Sequence, residues 1–232
     1  MEQDRLLYKY TSFSRFIEMV EVQRLYLTNI TLWEDPYEGY PVYTSFKDKN
    51  FLYKDANSFA YIGEKESLKS LYAQAWTYDA KESDAMWRIY SPSKDGVRLM
   101  TTPRKLLKSL QDAIGKHSEI KCFIGKVKYE YKSDLEECFT KIDLMNTNGS
   151  GIAESLLYKR KEFSHEREVR LIYSGDDGKC ESDYEYVRMH LVNIMLQNAV
   201  ADKKREPEQI TMNHLAYLIA RMVIDFSLNP EL

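Results

Sequence analysis

The segment EREVRLIY, residues 166–173, has the alternation of charged and apolar residues that predicts a β-strand with one buried face. Successive side chains of a strand point to opposite faces, so residues 167, 169, 171 and 173 share one face and residues 166, 168 and 170 share the other. The first face is largely apolar and can cover a core. The second face carries two carboxylates and a guanidinium, from Glu166, Glu168 and Arg170.

Two interpretations of this charged face remain open. Burying two acids and a base costs free energy unless the charges pair or meet a ligand, which favours a substrate-facing site. Alternatively, the face is solvated, and its acids form surface ion pairs with Arg170 and nearby lysines that contribute about 0–1 kcal/mol. His165 adjoins the segment and is a candidate proton carrier, although a lone histidine is more often a surface or capping residue.

Further strands and helices are predicted on both sides of this segment, and together they indicate an α+β fold. Thr102, Pro103 and Gly115 are the cap, first-turn proline and terminal glycine of one helix. Strands are expected at residues 6–10, 24–28, 72–78, 96–101, 120–131, 166–174 and 184–190. The other helices are expected at residues 13–23, 64–71, 83–90, 134–145, 152–161 and in most of 191–232. Residues 29–45 are expected to form an ordered loop and residues 175–178 a turn.

The chain is expected to fold as a single domain over residues 1–232, because this length suits one core and no linker interrupts it. Residues 146–151, rich in Asn and Gly, predict a flexible loop rather than a boundary. A net charge of −3 gives no global attraction to nucleic acid. The charged N-terminus, the lack of a long apolar run and three scattered cysteines favour a cytoplasmic location with no membrane association.

Two other groups of residues are candidates for ligand binding. Tyr8, Lys9 and Tyr10 bring hydroxyls and an ammonium to the end of the first strand, where they suit phosphate or ribose oxygens. Trp87 and Tyr90 lie one helical turn apart and form an aromatic ledge that suits a planar base or nicotinamide. The alternatives are an edge strand with one solvated lysine and a helix that docks on the sheet through its aromatic residues.

Other stretches carry weaker signals. The loop at residues 35–38, Asp-Pro-Tyr-Glu, is interpreted as structural because it lacks the ligand spacing of a calcium loop. The basic runs at residues 159–161 and 203–205 can touch phosphates, but such runs are usually solvated faces. The standard phosphate-binding, dinucleotide-binding and zinc motifs do not occur, so no metal site is expected.

Four short pieces of the sequence, taken in order, resemble a bacterial family of unknown function that is often met in phage-defence or abortive-infection settings. They are Leu7-Tyr8-Lys9-Tyr10, Asp35-Pro36-Tyr37-Glu38, Met86-Trp87 with Tyr90 and Gly96-Val97, and His165-Glu166-Arg167-Glu168-Val169-Arg170. The pieces span about residues 6–173. Each is short, and their common order carries the resemblance.

The chain also bears a more distant resemblance to ADP-ribosyltransferases. Their first strand often carries Tyr-His-Gly-Thr before a helix, where this chain has Tyr8-Lys9-Tyr10-Thr11, and a later strand often carries Glu-x-Glu, where this chain has Glu166-Arg167-Glu168. The chain departs from the first motif at Lys9 and Tyr10. The resemblance implies a mixed or antiparallel central sheet, split around a cleft and flanked by helices.

The same resemblance implies that NAD is a substrate and that a protein or nucleic acid accepts ADP-ribose. Glu168 would bind the nicotinamide ribose and stabilise the charge that develops as the glycosidic bond breaks, and Glu166 would orient or deprotonate the acceptor. The expected NAD-binding residues are Tyr8, Lys9, Tyr10, Trp87, Tyr90 and Arg170. In a defence setting, the chain would be a toxin controlled by an antitoxin protein.

Two other classes of function are compatible with the same residues. One is a metal-dependent nuclease built on Glu166 and Glu168 with help from Asp35 or Glu38. The other is a binding or sensing module without catalysis, in which the charges pair internally and the tyrosines contact a partner.

Overall fold

The structure is a computed structural model that describes residues 2–22, 24–35, 37–38, 70–143, 146, 148–175, 184–188 and 195–199. The strands are β1 Leu7–Ser12, β2 Arg24–Asn29, β3 Leu71–Thr77, β4 Gly96–Thr101, β5 Cys122–Lys126, β6 Lys128–Glu130, β7 Tyr158–Arg160, β8 Glu168–Ser174, β9 Tyr184–Arg188 and β10 Met195–Ala199. The α-helices are α1 Phe13–Val22, α2 Asp84–Tyr90, α3 Pro103–Ile114, α4 Ser118–Lys121, α5 Lys132–Thr140 and α6 Ser150–Ser155, and 3₁₀ turns span Ile30–Leu32 and Lys161–Glu166.

The fold is α+β, as the sequence predicted, with an antiparallel sheet and flanking helices. Its strand order is β10-β4-β1-β3-β2-β9, and β8 pairs with both β3 and β5. A separate parallel pair joins β6 to β7. Within the described residues, no helix is both long and apolar enough to cross a bilayer.

The sheet forks at β3. One edge of β3 pairs with β8 along its whole length, from Leu71 to Thr77. The opposite edge is shared by two strands, because β1 pairs with it at Thr77 and β2 pairs with it at Tyr72 and Ala73. From this junction β1 leads to β4 and β10, whereas β2 leads to β9. The two branches therefore diverge and leave a gap beside the middle of β3.

Side chains reach the backbone groups that the fork leaves without strand partners. The Lys9 Nζ atom donates a hydrogen bond to the Ala75 carbonyl oxygen at 3.1 Å. The Gln74 Nε2 atom donates to the Tyr26 carbonyl oxygen at 3.0 Å, and the Trp76 indole donates to Gln74 Oε1 at 2.8 Å. Because buried backbone acceptors need partners, these contacts help to hold the fork open.

The two faces of the sheet pack differently. Helices α1 and α3 cover one face and enclose the larger core, which includes Val169, Leu171 and Tyr173 of β8. The opposite face packs against α6 and the first 3₁₀ turn through a smaller apolar cluster. From residue 168 onward, β8 shows the predicted alternation, so its charged residues lie on the side of the smaller cluster.

Helix α3 follows its sequence signals closely. The Thr102 side chain accepts a hydrogen bond from the Lys105 backbone amide at 3.4 Å, and Pro103 occupies the first turn. Gly115 ends the helix with a positive φ of 70°, a conformation that favours glycine.

Several predicted elements are wrong in type or extent. Residues 195–199, expected to be helical, form β10, because they add a strand to the free edge of β4. The helix predicted at 152–161 spans 150–155, and residues 158–160 form β7 beside β6. The strand predicted at 120–131 is divided into the end of α4, β5 and β6, and the helix predicted at 134–145 spans 132–140.

Other expected elements fall wholly or partly outside the described residues. These are the helix at 64–71, apart from Ser70 and Leu71, residues 36 and 39–45 of the loop expected at 29–45, the turn after Gly175, and the C-terminal region beyond Ala199. Within the expected flexible loop at 146–151, residues 148 and 149 form a turn and α6 begins at Ser150.

Candidate functional site

A cluster of five charged side chains lies next to the fork of the sheet. Its members, here called the charge cluster, are Glu38, Lys159, Glu166, Glu168 and Arg170. Each side chain is at most 11% exposed. Charged groups are rarely buried unless they are paired, so this cluster is costly to assemble and depends on its internal contacts.

Lys159 of β7 is the centre of the charge cluster. Its Nζ atom lies 2.9 Å from Glu38 Oε1, 2.5 Å from Glu166 Oε2 and 3.1 Å from Glu168 Oε1. An ammonium group has three hydrogens, so one lysine can serve all three carboxylates. Burial opposes the charge of Lys159, but the three acids outweigh this effect and hold its pKa above the usual value.

Arg170 of β8 holds the other side of the carboxylates. Its Nε and Nη2 atoms lie 2.8 and 2.7 Å from Glu168 Oε2, and Nη2 also lies 2.9 Å from Glu38 Oε2. Its Nη1 atom donates to the Leu156 carbonyl oxygen at 2.7 Å, and its guanidinium stacks over the Trp33 ring at 4.5 Å. These contacts fix the Glu168 carboxylate in one orientation.

The two neighbouring acids titrate in opposite directions. Burial acts to raise the pKa of Glu168, but Arg170 and Lys159 outweigh it and lower that pKa to about 2. For Glu166, burial and a hydrogen bond to Glu168 raise the pKa to about 7, against the influence of Lys159. Glu168 is therefore an ionised carboxylate at neutral pH, whereas Glu166 exchanges its proton near that pH. A protonated Glu166 leaves two carboxylates to balance two cations.

The structure brings Glu166 to the site by a different route from the one predicted. Glu166 is the last residue of a 3₁₀ turn rather than part of β8, and Arg167 separates the two elements with a left-handed φ of 46°. This change in backbone direction still places Glu166 beside Glu168. His165 is exposed, and its Nδ1 atom lies 3.2 Å from the Glu162 carbonyl oxygen.

A cleft of about 470 Å³ opens between the diverging strands β1 and β2. This volume falls within the range of small-molecule sites. The floor of the cleft is formed by Ala73, Gln74 and Ala75 of β3, with the charge cluster at one wall. Its lining residues that bear on ligand binding are Lys9, Tyr10, Ser12, Arg15, Tyr26, Trp33, Glu38, Tyr90, Glu168 and Arg170.

Lys9 differs from the two cations of the charge cluster. Its amine contacts the Ala75 carbonyl oxygen and lies 6.0 Å from the centre of the Trp76 ring. Burial and the nearby Arg15 lower the pKa of Lys9 to about 8, while Glu168 acts in the opposite direction. A larger fraction of this amine is therefore uncharged near neutral pH than of an ordinary lysine.

Most of the predicted site residues come together at this cleft. Lys9, Tyr10, Tyr90, Glu168 and Arg170 line it. An adjoining smaller cavity is lined by Tyr8 and Glu166, together with Lys9, Tyr10, Tyr90 and Glu168. Tyr90 is 40% exposed. Its partial burial, followed by the nearby acids Glu166 and Glu168, raises its pKa to about 12, so its hydroxyl stays protonated.

Trp87 and Tyr8 are placed less favourably for ligand contact. The Trp87 ring packs edge-on against Tyr10 at 4.6 Å between ring centres, and Trp87 does not line either of these two cavities. Tyr8 is buried beneath the Arg98 guanidinium, which lies 3.8 Å from its ring centre. The stacking ledge expected from Trp87 and Tyr90 therefore reduces to Tyr90 at the cleft.

Sequence reasoning missed Lys159 as a member of the site, and it named Glu38 only as a helper in the alternative nuclease. Asp35 holds the loop that delivers Glu38, because its carboxylate accepts from the Tyr37 amide at 3.1 Å and pairs with Arg160 at 3.1 Å. Lys159 belongs to the basic run at residues 159–161, and such runs usually form solvated faces. The available signal was a charge imbalance, since a buried face with two acids and one arginine requires a second cation.

The described residues show no group of three or more His, Cys, Asp or Glu side chains placed to hold a metal ion. The three clustered carboxylates are instead bound by an ammonium and a guanidinium.

These features define the chain as an α+β protein with a buried charge cluster at the wall of a cleft. A family model described as a protein of unknown function, DUF2971, matches residues 86–171. The match supports the expected resemblance to a family of unknown function, and its range contains Lys159, Glu166, Glu168 and Arg170. No curated protein and no solved structure matches the chain.

Proposed function

We propose that the chain binds NAD in the cleft and transfers ADP-ribose to a macromolecule, with Glu168 as the catalytic carboxylate. The observation that carries this proposal is the position of Glu168, an ionised and fixed carboxylate at the wall of a cleft large enough for a small molecule. The forked sheet also agrees with the split sheet that the resemblance to ADP-ribosyltransferases implies.

The proposed chemistry requires negative charge close to the anomeric carbon of the nicotinamide ribose. As the bond from that carbon to nicotinamide breaks, positive charge develops on the ribose, and a preorganised carboxylate stabilises it. Lys159 and Arg170 hold the two oxygens of Glu168 at 3.1 and 2.7 Å. Because a carboxylate has about four acceptor positions, Glu168 can accept a further hydrogen bond from a ribose hydroxyl.

Glu166 is proposed to handle the proton of the acceptor group. A general base works best when its pKa lies near the operating pH. Burial and Glu168 raise the pKa of Glu166 to about 7, so it can exchange a proton at neutral pH. It also lines the smaller cavity together with Glu168, which supports a role for it beside the proposed reacting centre.

The remaining cleft residues suit the other parts of NAD. Tyr90 offers a ring for nicotinamide at the cleft, and Tyr10 and Lys9 offer a hydroxyl and an amine for ribose or pyrophosphate oxygens. Arg170 positions the carboxylates. Tyr8 supports this wall from beneath, and Trp87 supports Tyr10.

The contacts within the charge cluster favour this proposal over a metal-dependent nuclease. In such a nuclease Glu166 and Glu168 would bind a divalent ion directly. Here Lys159 already contacts both Glu166 and Glu168, so a divalent ion shared by these two acids would have to compete with its ammonium group. The acids also lie buried beside a cleft rather than on an exposed sheet edge, which favours a ligand-binding site over a partner surface.

The test is transfer of label from NAD. The purified chain is incubated with NAD labelled in its adenylate group and with a cell lysate, and the label in protein and in nucleic acid is measured. The wild-type chain is expected to label one fraction, and Glu168→Gln is expected to lower the rate by about 10²–10³-fold. Glu162→Gln, an exposed change in the adjoining 3₁₀ turn, is the matched control and is expected to retain the wild-type rate.

Thermal unfolding of each variant separates loss of chemistry from loss of fold. A folded Glu168→Gln protein that labels at the parent rate refutes the assignment of Glu168. An absence of label in every fraction refutes the proposed transfer. Cleavage of added nucleic acid that a chelator abolishes would then favour the nuclease, and an absence of cleavage would favour a binding module.

A further inference from the structure

Lys9 has an unusual position for a lysine. Its amine lies at the fork of the sheet and donates to the Ala75 carbonyl oxygen at 3.1 Å. Among the described residues no carboxylate forms a salt bridge with it, and the two acids that line the cleft, Glu38 and Glu168, are bound by Lys159 and Arg170. A lysine in a desolvated site without an acidic partner readily loses its charge.

The chemical state of Lys9 suits a nucleophile. Burial and the adjacent Arg15 lower the pKa of Lys9 to about 8, compared with the usual 10.5. Desolvation and a second cation are the two means by which proteins activate lysine amines toward carbonyl carbons. Lys9 also lines both the cleft and the smaller cavity, so a bound molecule can reach its amine.

The surroundings of Lys9 specify a class of ligand. Arg15 lies at the same wall of the cleft, and its guanidinium contacts the Tyr26 hydroxyl at 2.8 Å and no carboxylate among the described residues. It can therefore bind an anionic group on the ligand. Glu166, which lines the smaller cavity together with Lys9, is a carboxyl that can supply a proton.

We infer that Lys9 forms an imine with an aldehyde that carries a negative charge. The Nζ lone pair adds to the carbonyl carbon, and the carbonyl oxygen takes up a proton to give a carbinolamine. Glu166 then gives a proton to the carbinolamine hydroxyl, which leaves as water while the carbon–nitrogen double bond forms, and the nitrogen returns its proton to the Glu166 carboxylate. Amine and aldehyde give imine and water, so no oxidant or reductant is consumed.

This inference stands apart from the proposed NAD chemistry but is compatible with it. The open-chain form of ADP-ribose, which NAD yields on hydrolysis, is itself an aldehyde with a diphosphate. Lys9 can thus capture such a product covalently, whereas the proposed transfer assigns Lys9 only contacts to intact NAD.

The experiment uses pyridoxal phosphate as the anionic aldehyde and pyridoxal, which lacks the phosphate, as the matched neutral probe. Each probe is incubated briefly with the full chain, the imine is reduced with borohydride, and peptides are mapped by mass spectrometry. The exposed Lys105, Lys116 and Lys161 serve as internal references within the same molecule. The wild-type chain therefore supplies the test without any risk of misfolding.

We expect pyridoxal phosphate to modify Lys9 at least about tenfold faster than the exposed lysines, because more of its amine is uncharged. Pyridoxal should show a smaller preference for Lys9, and Arg15→Gln should reduce the advantage of the phosphate. Modification spread over the exposed lysines, with Lys9 left intact, overturns the inference. Equal preference of Lys9 for the two probes overturns the claim that the aldehyde must carry a negative charge. Neither probe involves NAD, so a failure here leaves the proposed transfer standing, and the reverse also holds.

Discussion

Replacement of Lys159 by Met is the sharpest test of the charge cluster. Lys159 contacts Glu38, Glu166 and Glu168 at 2.9, 2.5 and 3.1 Å, and its side chain is 9% exposed. Its removal leaves three buried acids with Arg170 as the remaining cation of the cluster. Breaking a buried ion pair from one side typically costs about 3–5 kcal/mol. For a chain of this length, each kcal/mol lowers Tm by roughly 2–4 °C, so the expected loss is roughly 6–20 °C.

The loss of stability caused by Lys159→Met should depend on pH in a defined direction. Glu166 has a pKa raised to about 7, so below that pH it is protonated and has less need of Lys159. As the pH rises past 7 it ionises, and the variant then has three buried carboxylates against the single cation Arg170. Lys159→Met should therefore be more destabilising at pH 8 than at pH 6.

Equilibrium unfolding in urea at the two pH values measures this effect. Lys161→Met, an exposed lysine two residues further along the chain, is the matched control and should change little. If Lys159→Met folds too poorly to measure, the double variant with Glu166→Gln should recover part of the stability, because it removes one of the unpaired acids. A loss at pH 8 that equals the control would refute the central position of Lys159.

Two other predictions follow from single contacts. The pKa of Glu166 is raised from 4.5 to about 7 in the fold, so its contribution to the unfolding free energy is complete below pH 4.5 and is lost as the pH rises through 7. Glu166→Gln cannot ionise, and its stability relative to the wild type should therefore rise across that interval in urea titrations. Thr102→Ala removes the side-chain acceptor of the Lys105 amide at the start of α3, and it should cost about 1 kcal/mol with a Tm lower by roughly 2–4 °C.

Each of these two predictions would be contradicted by one defined result. Parallel stability curves for the wild type and Glu166→Gln between pH 4.5 and 7 would show that Glu166 keeps an ordinary pKa. For Thr102→Ala, calorimetry that gives the wild-type Tm would show that the cap contributes nothing. Thr102→Ser keeps the hydroxyl and should behave as the wild type.

The parts of the fold that the sequence predicted depend on local signals. Thr102, Pro103 and Gly115 act within one helix, so the bounds of α3 can be read without knowledge of the rest of the chain. The alternation of β8 from Glu168 onward is also local, since it follows from strand geometry alone. In both cases the residues that carry the signal are the residues that form the structure.

The parts that could not be predicted depend on contacts between distant residues. The fork requires β1 and β2 to pair with the same edge of β3, and neither strand carries a local mark of this arrangement. The short run at residues 195–199 is compatible with a helix or a strand, and the free edge of β4 decides between them. Lys159 contacts Glu38, which lies more than a hundred residues earlier in the chain. The basic run around Lys159 therefore cannot reveal this ion pair.

Glu166 shows a limit of periodicity. Strand alternation correctly predicted that Glu166 lies beside Glu168, but Glu166 is not part of the strand. Arg167, which separates the two residues, has a positive φ that is uncommon for a residue other than glycine. The proximity of the two acids therefore depends on a turn that the alternation pattern conceals.

The most direct test of the proposed function is the rate at which nicotinamide is released from saturating NAD. The wild-type chain should release nicotinamide, and Glu168→Gln should bind NAD in calorimetric titration but release nicotinamide about 10²–10³-fold more slowly. If the wild-type chain neither binds nor cleaves NAD, or if a folded Glu168→Gln protein cleaves it at the wild-type rate, the assignment of this cleft as an NAD-consuming site is wrong.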